Sequence, residues 1–415
     1  MSARGLAVAL ALSGCMTGGR ALGAADGGSA AADGGERSDA GRTDGGAPSD
    51  AGRDAAVPVG GDAIAASHLH TCVVTMGALR CSGANDVGQL GYDGADALTP
   101  GPSPLPSAIV GSVSAGRNFT CVLDADGSVW CFGANDTGQL GAGDRVSGGT
   151  PRQVLLSGRA RTIDSSFNSV CALVTDGSIH CWGSNQLGQL GTGSIGPVDG
   201  VPIPEQVPLP GPAFRVAIGL HHACAILQDG GLYCWGNNVF GELGLGTTGG
   251  HRYVPARVGT GSWREVDAGQ HHTCAIDDAG ALSCWGEYSG PIDGYPSPLG
   301  HDVPGSYDAP ERVGTEVGWT HVSTDTFHTC ALKDDGELWC WGRNAEGQLG
   351  VGSTAVLPDR TQIEPTERFV DVDVGRFTTC ARTTRGEVRC AGANNRGALA
   401  TGDTNRRSSL TPWPR

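Results

Sequence analysis

From residue 62 onward the apolar positions fall in short runs with no helical period between them. Cys330-Ala331-Leu332 and Glu337-Leu338-Trp339-Cys340-Trp341 are strand-like runs joined at Asp335-Gly336. A Gly accepts the positive φ of a tight turn, so the segment predicts a β-hairpin. The turn returns at Asp126-Gly127, Asp176-Gly177 and Asp229-Gly230, while Ala279-Gly280 and Arg385-Gly386 keep only the Gly. Seven such units follow one another, each marked by two cysteines: Cys72 and Cys81, Cys121 and Cys131, Cys171 and Cys181, Cys224 and Cys234, Cys274 and Cys284, Cys330 and Cys340, Cys380 and Cys390. The second cysteines are spaced 50, 50, 53, 50, 56 and 50 residues apart. A period near 50 residues in an all-strand chain predicts one four-stranded blade per unit around an axis. The fold class expected is all-β, a closed seven-bladed β-propeller over residues 62–415. Ile64–Ser67 opens the first unit and Leu410–Trp413 ends the last, and the two ends are expected to meet and share a blade.

The N-terminal pattern is different. Arg4 precedes a short apolar run that ends in small residues and Cys15, which reads as a secretory signal over residues 1–15. Leu12-Ser13-Gly14-Cys15 resembles the lipobox of bacterial lipoproteins, and that resemblance makes Cys15 the lipidated first residue of the mature chain. Thr17 to Val57 has no aromatic residue and is mostly Ala, Gly, Asp, Ser and Arg. Such a composition buries too little apolar surface to offset its ordering entropy. Residues 16–61 are therefore expected to be a disordered tether, with a reach of roughly 35 Å on flexible-linker scaling. The chain has 415 residues, a formal charge of −15 and 69 Gly without a triplet period, which excludes collagen. The negative balance argues against a nucleic-acid partner. No apolar run is long enough for a membrane-spanning helix.

Trp-Gly-x-Asn-x-x-Gly-Gln-Leu-Gly stands at Trp182–Gly191 and Trp341–Gly350, with variants at Ser82–Gly91, Phe132–Gly141, Trp235–Gly244 and Ala391–Ala400. This phrase resembles the regulator of chromosome condensation repeat. The resemblance covers Asp62 to Pro414 and implies a seven-bladed propeller, in agreement with the count of units. Unit five departs from it, because Glu287–Asp293 follows Trp285-Gly286 and the Asn and the Gly-Gln-Leu-Gly run are lost.

Cys-x-Cys and Cys-x-x-Cys metal spacings are absent. His70, His222, His272 and His328 precede the first cysteine of four units, but Phe119, Ser169 and Thr378 stand there in the others, so a site of two cysteines and a histidine would lack a ligand in three blades. As disulfides the pairs are natural, since directly opposed residues of a hairpin have Cα atoms about 4.5 Å apart. All fourteen cysteines from Cys72 to Cys390 are therefore expected to pair, in keeping with export. Trp182, Trp235, Trp285 and Trp341, with Phe132 as substitute, point away from the cysteine face and are expected to form inter-blade core. Ser82 and Ala391 are the exceptions, which predicts altered packing at the closure seam.

No nucleophile elbow, zincin motif or P-loop is present, and the clustered Asp334, Asp335 and Glu337 sit on a hairpin turn. No catalytic residue, metal ligand or cofactor is expected. The informative residues vary where the frame does not: His68-Leu69, Arg117-Asn118, Phe167-Asn168, Leu220-His221, Gln270-His271, Thr326-Phe327 and Arg376-Phe377. All seven pairs should emerge at equivalent loops on one face of the disc. Arg117, Asn118, Phe167, His221, His271, Phe327, Arg376 and Phe377 are the candidate binding residues, since Arg and aromatic side chains dominate interface hot spots. The reading is a non-catalytic, protein-binding lipoprotein of the bacterial cell envelope. It is expected to be a monomer held to the membrane by its lipid, binding a protein or glycan in the envelope or extracellular space, with no nucleic acid. Among relatives the resemblance brings in are a nuclear exchange factor for a small GTPase and a secreted bacterial inhibitor of β-lactamases. The alternatives are a carbohydrate-active enzyme or glycan-binding propeller, which needs a polar pocket with paired carboxylates near the axis, and a small-GTPase exchange-factor-like role.

Overall fold

The computed structural model describes residues 63–105, 110–287, 296–301, 305–357 and 359–414. The expected signal sequence with Cys15, the expected tether at 16–61 and part of the unit-five insertion lie outside the described residues. Twenty-eight strands form seven four-stranded sheets, and within each sheet the strands lie side by side in chain order. The first blade is Ala63–Ala66, His70–Thr75, Ala78–Gly83 and Ala97–Pro102, from innermost to outermost. Inner strands of successive blades touch all the way round, including the first and the seventh, which closes the ring.

The expectation that the chain ends share a blade is wrong. Arg407–Pro412 completes the seventh blade as its own outer strand, and Ala63–Ala66 is the inner strand of the first. The ends do meet, through side chains rather than exchanged strands. Trp413 packs with Ile64, Ala66 and Val73, and Arg396 of the seventh blade pairs with Asp86 (2.6 Å) and Asp96 of the first.

Each cysteine pair sits directly opposed on the second and third strands, with Cα atoms 4.1 Å apart, and all seven are disulfides. In chain order Cys72 bonds Cys81, Cys121 bonds Cys131, Cys171 bonds Cys181 and Cys224 bonds Cys234. The last three blades follow with Cys274 to Cys284, Cys330 to Cys340 and Cys380 to Cys390, so every pairing expected from the spacing is present. Closing a loop of this size stabilises the fold by roughly 2–3 kcal/mol on the chain-entropy account. The shorter spacing of Cys72 and Cys81 reflects a two-residue turn, Met76-Gly77, between the paired Thr75 and Ala78. Elsewhere the loop is longer, as between Leu123 and Val129.

The tryptophans are inter-blade core as expected. Trp182 packs among Phe119, Cys121 and Cys131 of the preceding blade, and its indole Nε1 donates to the Gln139 carbonyl at 2.9 Å. Trp235, Trp285 and Trp341 repeat this to the carbonyls of Gln189, Glu242 and Pro298. At the seam Ser82 stands in for the indole, its Oγ donating to the Ala398 carbonyl at 3.2 Å. Unit five proves to keep the repeat it seemed to lose. Pro298-Leu299-Gly300 occupies the Gln-Leu-Gly position beyond the insertion, with Leu299 fully buried and Trp341 bonded to Pro298. The motif Asn is a loop fastener: Asn185 Oδ1 accepts from the Leu190 amide at 3.0 Å while its Nδ2 donates to Ser194. Asn344 does the same with Leu349 and Ser353.

Seven outer strands leave seven sheet edges, which invite pairing with other chains. Proline blunts six of them, as at Pro151, Pro204, Pro255 and Pro310, and the remaining edge, Thr361–Ile363, is only three residues long.

Candidate functional site

The loops joining inner to second strands ring the mouth of the axial channel. All seven variable pairs lie in these loops, on one face, as the repeat frame predicted. Arg117 is exposed, His68 and Thr326 are buried, and the others are half-buried. The loops bond to one another around the ring: the Arg117 amide donates to the Phe167 carbonyl at 2.9 Å, Leu220 to Gly269 at 3.3 Å and Gln270 to Asp325 at 3.4 Å. Ser67 Oγ donates to the Gly116 carbonyl across the first two blades. Two glycines show how tight this collar is. A Cβ on Gly375 would lie 2.3 Å from the Ser67 carbonyl oxygen, and one on Gly392 (φ +113°) 2.0 Å from that of Phe377. Only glycine fits either place, so the collar is a rigid frame carrying variable side chains.

Those side chains form two groups. Phe327 and Phe377 of neighbouring blades stack with centroids 5.5 Å apart. The Arg376 guanidinium lies over both rings, at 5.4 and 5.1 Å, and Arg343 lies 5.0 Å from Phe327. On the other side, Phe167 of the third blade reaches over the mouth to meet His68 of the first, edge-on at 4.7 Å. Phe167 does so at φ +46°, in the first position of a two-residue turn between the paired Ser166 and Ser169. A bulky side chain is costly there.

His221 and His271 sit at the junction of the fourth and fifth blades, beside Glu242. Glu242 is fully buried where four other blades carry Gln, and accepts from Asn237 Nδ2 at 2.5 Å and the Phe240 amide at 2.8 Å. His271 Nδ1 is 3.9 Å from it, and burial with neighbouring His271 pushes His221 down to about 4. Among the described residues no three His, Cys, Asp or Glu side chains could hold a metal ion. His70, His222, His272 and His328 are inter-blade struts, their Nε2 atoms meeting the hydroxyls of Thr120, Thr273, Thr324 and Thr379.

At the collar the channel holds a cavity of about 140 Å³, lined in part by His68, Arg117 and Phe167, and further along it one of about 450 Å³. Asp164, Asp267 and Asp373 line both, in alternate blades, each opposite the first cysteine of its unit. Each reaches the next inner strand: Asp164 accepts from the Ile218 amide (2.8 Å), Asp267 from Thr324 (2.6 Å) and Asp373 from Ala66 (2.5 Å). Burial raises all three carboxyls, and repulsion from neighbouring aspartates adds to it for Asp267, at about 7, and Asp373, at about 8. In the wider cavity His321 Nδ1 meets Glu265 at 3.0 Å and its Nε2 donates to the Val372 carbonyl at 3.1 Å, while Arg215 pairs with the same Glu265.

Sequence reasoning missed the three aspartates and the Arg215–Glu265–His321 chain. The signal was there: each aspartate lies seven residues before a first cysteine, the offset of the inner strand's facing position in every unit. It also missed Arg343, which the variable position after Trp341-Gly342 in the repeat motif brings against Phe327.

Comparison with known proteins agrees with this architecture. The RCC1-like domain matches residues 46–355, and the regulator of chromosome condensation (RCC1) repeat matches residues 335–382 and 369–398. The chain belongs to the RCC1-like domain family. It is 31% identical to the ultraviolet-B receptor UVR8 of Arabidopsis thaliana over 39% of this chain and 36% of the receptor. It is 27% identical to the human probable E3 ubiquitin-protein ligase HERC6 over 34% of this chain and 14% of the ligase, so the matches span only a minor part of these relatives. In fold it is similar to yeast RCC1 (Prp20) as seen bound to Kap60, with a TM-score of 0.72 at 19% identity over 91% of this chain and 90% of that one. Human WBSCR16 gives 0.66 at 22% identity, over 75% of this chain and 84% of that one.

Proposed function

We propose that this propeller is a non-catalytic protein-recognition module that binds through the collar. The observation that carries the reading is a rigid, mutually hydrogen-bonded ring of loops whose variable positions hold Phe167, Phe327, Phe377, Arg117 and Arg376 around one opening. Preorganised loops lose little entropy on binding, and Phe and Arg are hot-spot residues. Yeast Prp20p, similar in fold, is described with binding to Gsp1p and histones, which supports a protein-binding role for this one. A carbohydrate-active enzyme is disfavoured because each of the three channel aspartates is engaged by a backbone amide of the next inner strand. The exchange-factor role does not fit a chain with seven disulfides, which belong to an oxidising compartment.

The finer reading is a lipid-anchored protein of a bacterial envelope, with Cys15 as the lipid attachment and residues 16–61 as the tether. It rests on the Leu12–Cys15 pattern and on the oxidising compartment that the disulfides need. Capture of envelope proteins by the full chain tests the recognition role. A partner retained by wild type should be weakened by well over tenfold when Phe327→Ala and Phe377→Ala are combined, with little change in thermal midpoint. A large loss of stability with unchanged affinity would place these rings in the core and move the search to the other face or to the insertions at residues 194–212 and 287–310.

A further inference from the structure

The collar's charge is opposite to that of the chain. The whole protein carries 43 Asp and Glu against 28 Lys and Arg. Among the described residues, the seven collar loops carry Arg117 and Arg376 against a single carboxylate, Asp325; at the position after Trp-Gly, Arg343 adds a third guanidinium beside Phe327 and Glu287 of the fifth blade a second carboxylate, on the His271 side of the ring. Asp325 lines the mouth cavity and accepts from Thr326 Oγ1 at 2.8 Å; burial lifts its carboxyl to about 6 against the pull of Thr326 and Arg376. His68 stands on the first-blade loop, between the loops of the second blade, which carries Arg117, and the seventh, which carries Arg376, and shares the channel-mouth cavity with Arg117. His68 stays neutral there, and its Nε2 has no hydrogen-bond partner, nor has the buried Nε of Arg376. Beside these donors lies the half-exposed Phe327–Phe377 stack, an apolar platform where a solvated loop would ordinarily be polar.

Resting on the recognition reading above, we propose that the collar docks an acidic protein segment. A carboxylate side chain of the partner sits between Arg117 and Arg376 over the channel mouth, and an adjacent apolar side chain lies on the Phe327–Phe377 pair. Arg recognises a carboxylate through paired N–H donors, and a basic collar on an acidic body steers acidic segments to this face while the rest of the surface repels them. The aromatic platform selects a peptide over a bare anion, because a free carboxylate or phosphate would leave it uncovered.

The test is selection from a phage-displayed random peptide library on the full chain with its disulfides intact. Selected peptides are then titrated against wild type, Arg117→Gln, Arg376→Gln, Phe377→Ala and, as a control on the opposite face, Asp335→Asn. Binders should be enriched in Asp and Glu relative to the input library. Arg117→Gln and Arg376→Gln should each weaken them on the order of tenfold, added salt should slow their association, and Asp335→Asn should bind as wild type. Binders that depend on Phe377 but carry no acidic excess would overturn the acidic partner and leave the recognition module standing. A library that yields no binder sensitive to any collar variant would overturn both.

Discussion

Asp373→Asn should make this protein more stable, and more so in alkali. In the wild type Asp373 lines the channel and accepts from the Ala66 amide at the seam. Burial, with repulsion from Asp267, Asp371 and Asp164, lifts its carboxyl to about 8, against about 3.9 for an unfolded chain. The folded state therefore holds this proton more tightly than the unfolded state does. Its contribution to stability is complete below about pH 4, is lost as pH rises toward 8, and above that is a fixed penalty. Four pKa units at about 1.4 kcal/mol each set a ceiling of about 6 kcal/mol, and about 1–2 kcal/mol at pH 5. Asn keeps an oxygen for the Ala66 amide and carries no charge. With an unfolding entropy of about 2.1 cal/mol/K per residue, a domain of this size moves by roughly 1–1.5 °C per kcal/mol. The variant should gain about 1–2 °C over wild type at pH 5 and up to roughly 7 °C at pH 9. Thermal unfolding followed by circular dichroism at both pH values is the assay. Equal gains at the two values, or a lower midpoint at pH 9, would show that the carboxylate is not strained in the channel.

The neighbouring Glu265 predicts a cost where Asp373 predicts a gain, with a pH slope of the same sign. Burial alone would lower His321, but the Glu265 carboxylate overrides it and holds His321 at about 9, so its stabilisation is full below about pH 6.5 and lost as pH rises through 9. Glu265→Gln should cost on the order of 2 kcal/mol more near pH 6 than at pH 10, where only the Arg215 pair is lost, measured by the same unfolding experiment. Mass spectrometry of the non-reduced protein should find no alkylatable thiol from Cys72 onward; free thiols or stoichiometric zinc would contradict the disulfide frame. Cys15→Ser should move the protein from the membrane to the soluble fraction, since the acyl chains supply the anchorage, and unchanged fractionation with no lipid label on wild type would dismiss the anchor.

The propeller was legible because its frame repeats. Seven cysteine pairs at near-constant spacing fixed the hairpins, the disulfide geometry and the number of blades, and the aromatic after five of the seven second cysteines, as in Cys181-Trp182, Cys234-Trp235 and Cys284-Trp285, marked the blade interfaces. The closure was misread although the lengths were available: Cys390 to Pro412 is as long as Cys81 to Pro102, enough for a complete outer strand at the chain's end. Unit five was misread because the insertion separates Trp285 from Pro298-Leu299-Gly300, and a motif defined by contiguous spacing hides a displaced half. The collar was located by its variability, but its rigidity was not visible. That rests on backbone contacts between blades, such as Arg117 to Phe167, which no single repeat unit contains. The strained Phe167 turn likewise depends on the Ser166–Ser169 pairing, where the ladder runs one pair further than in the neighbouring blades.

The central claim is that recognition takes place at the collar, and site-specific photo-crosslinking in the producing cell tests it without knowing the partner. A benzoylphenylalanine placed at Phe377 reports on the collar, and one at Asp335, on an exposed hairpin turn of the opposite face, reports on the other end of the disc. The account predicts a discrete protein adduct from position 377, abolished by Arg376→Gln, and none from position 335. Adducts confined to position 335, or a 377 adduct indifferent to Arg376, would contradict it.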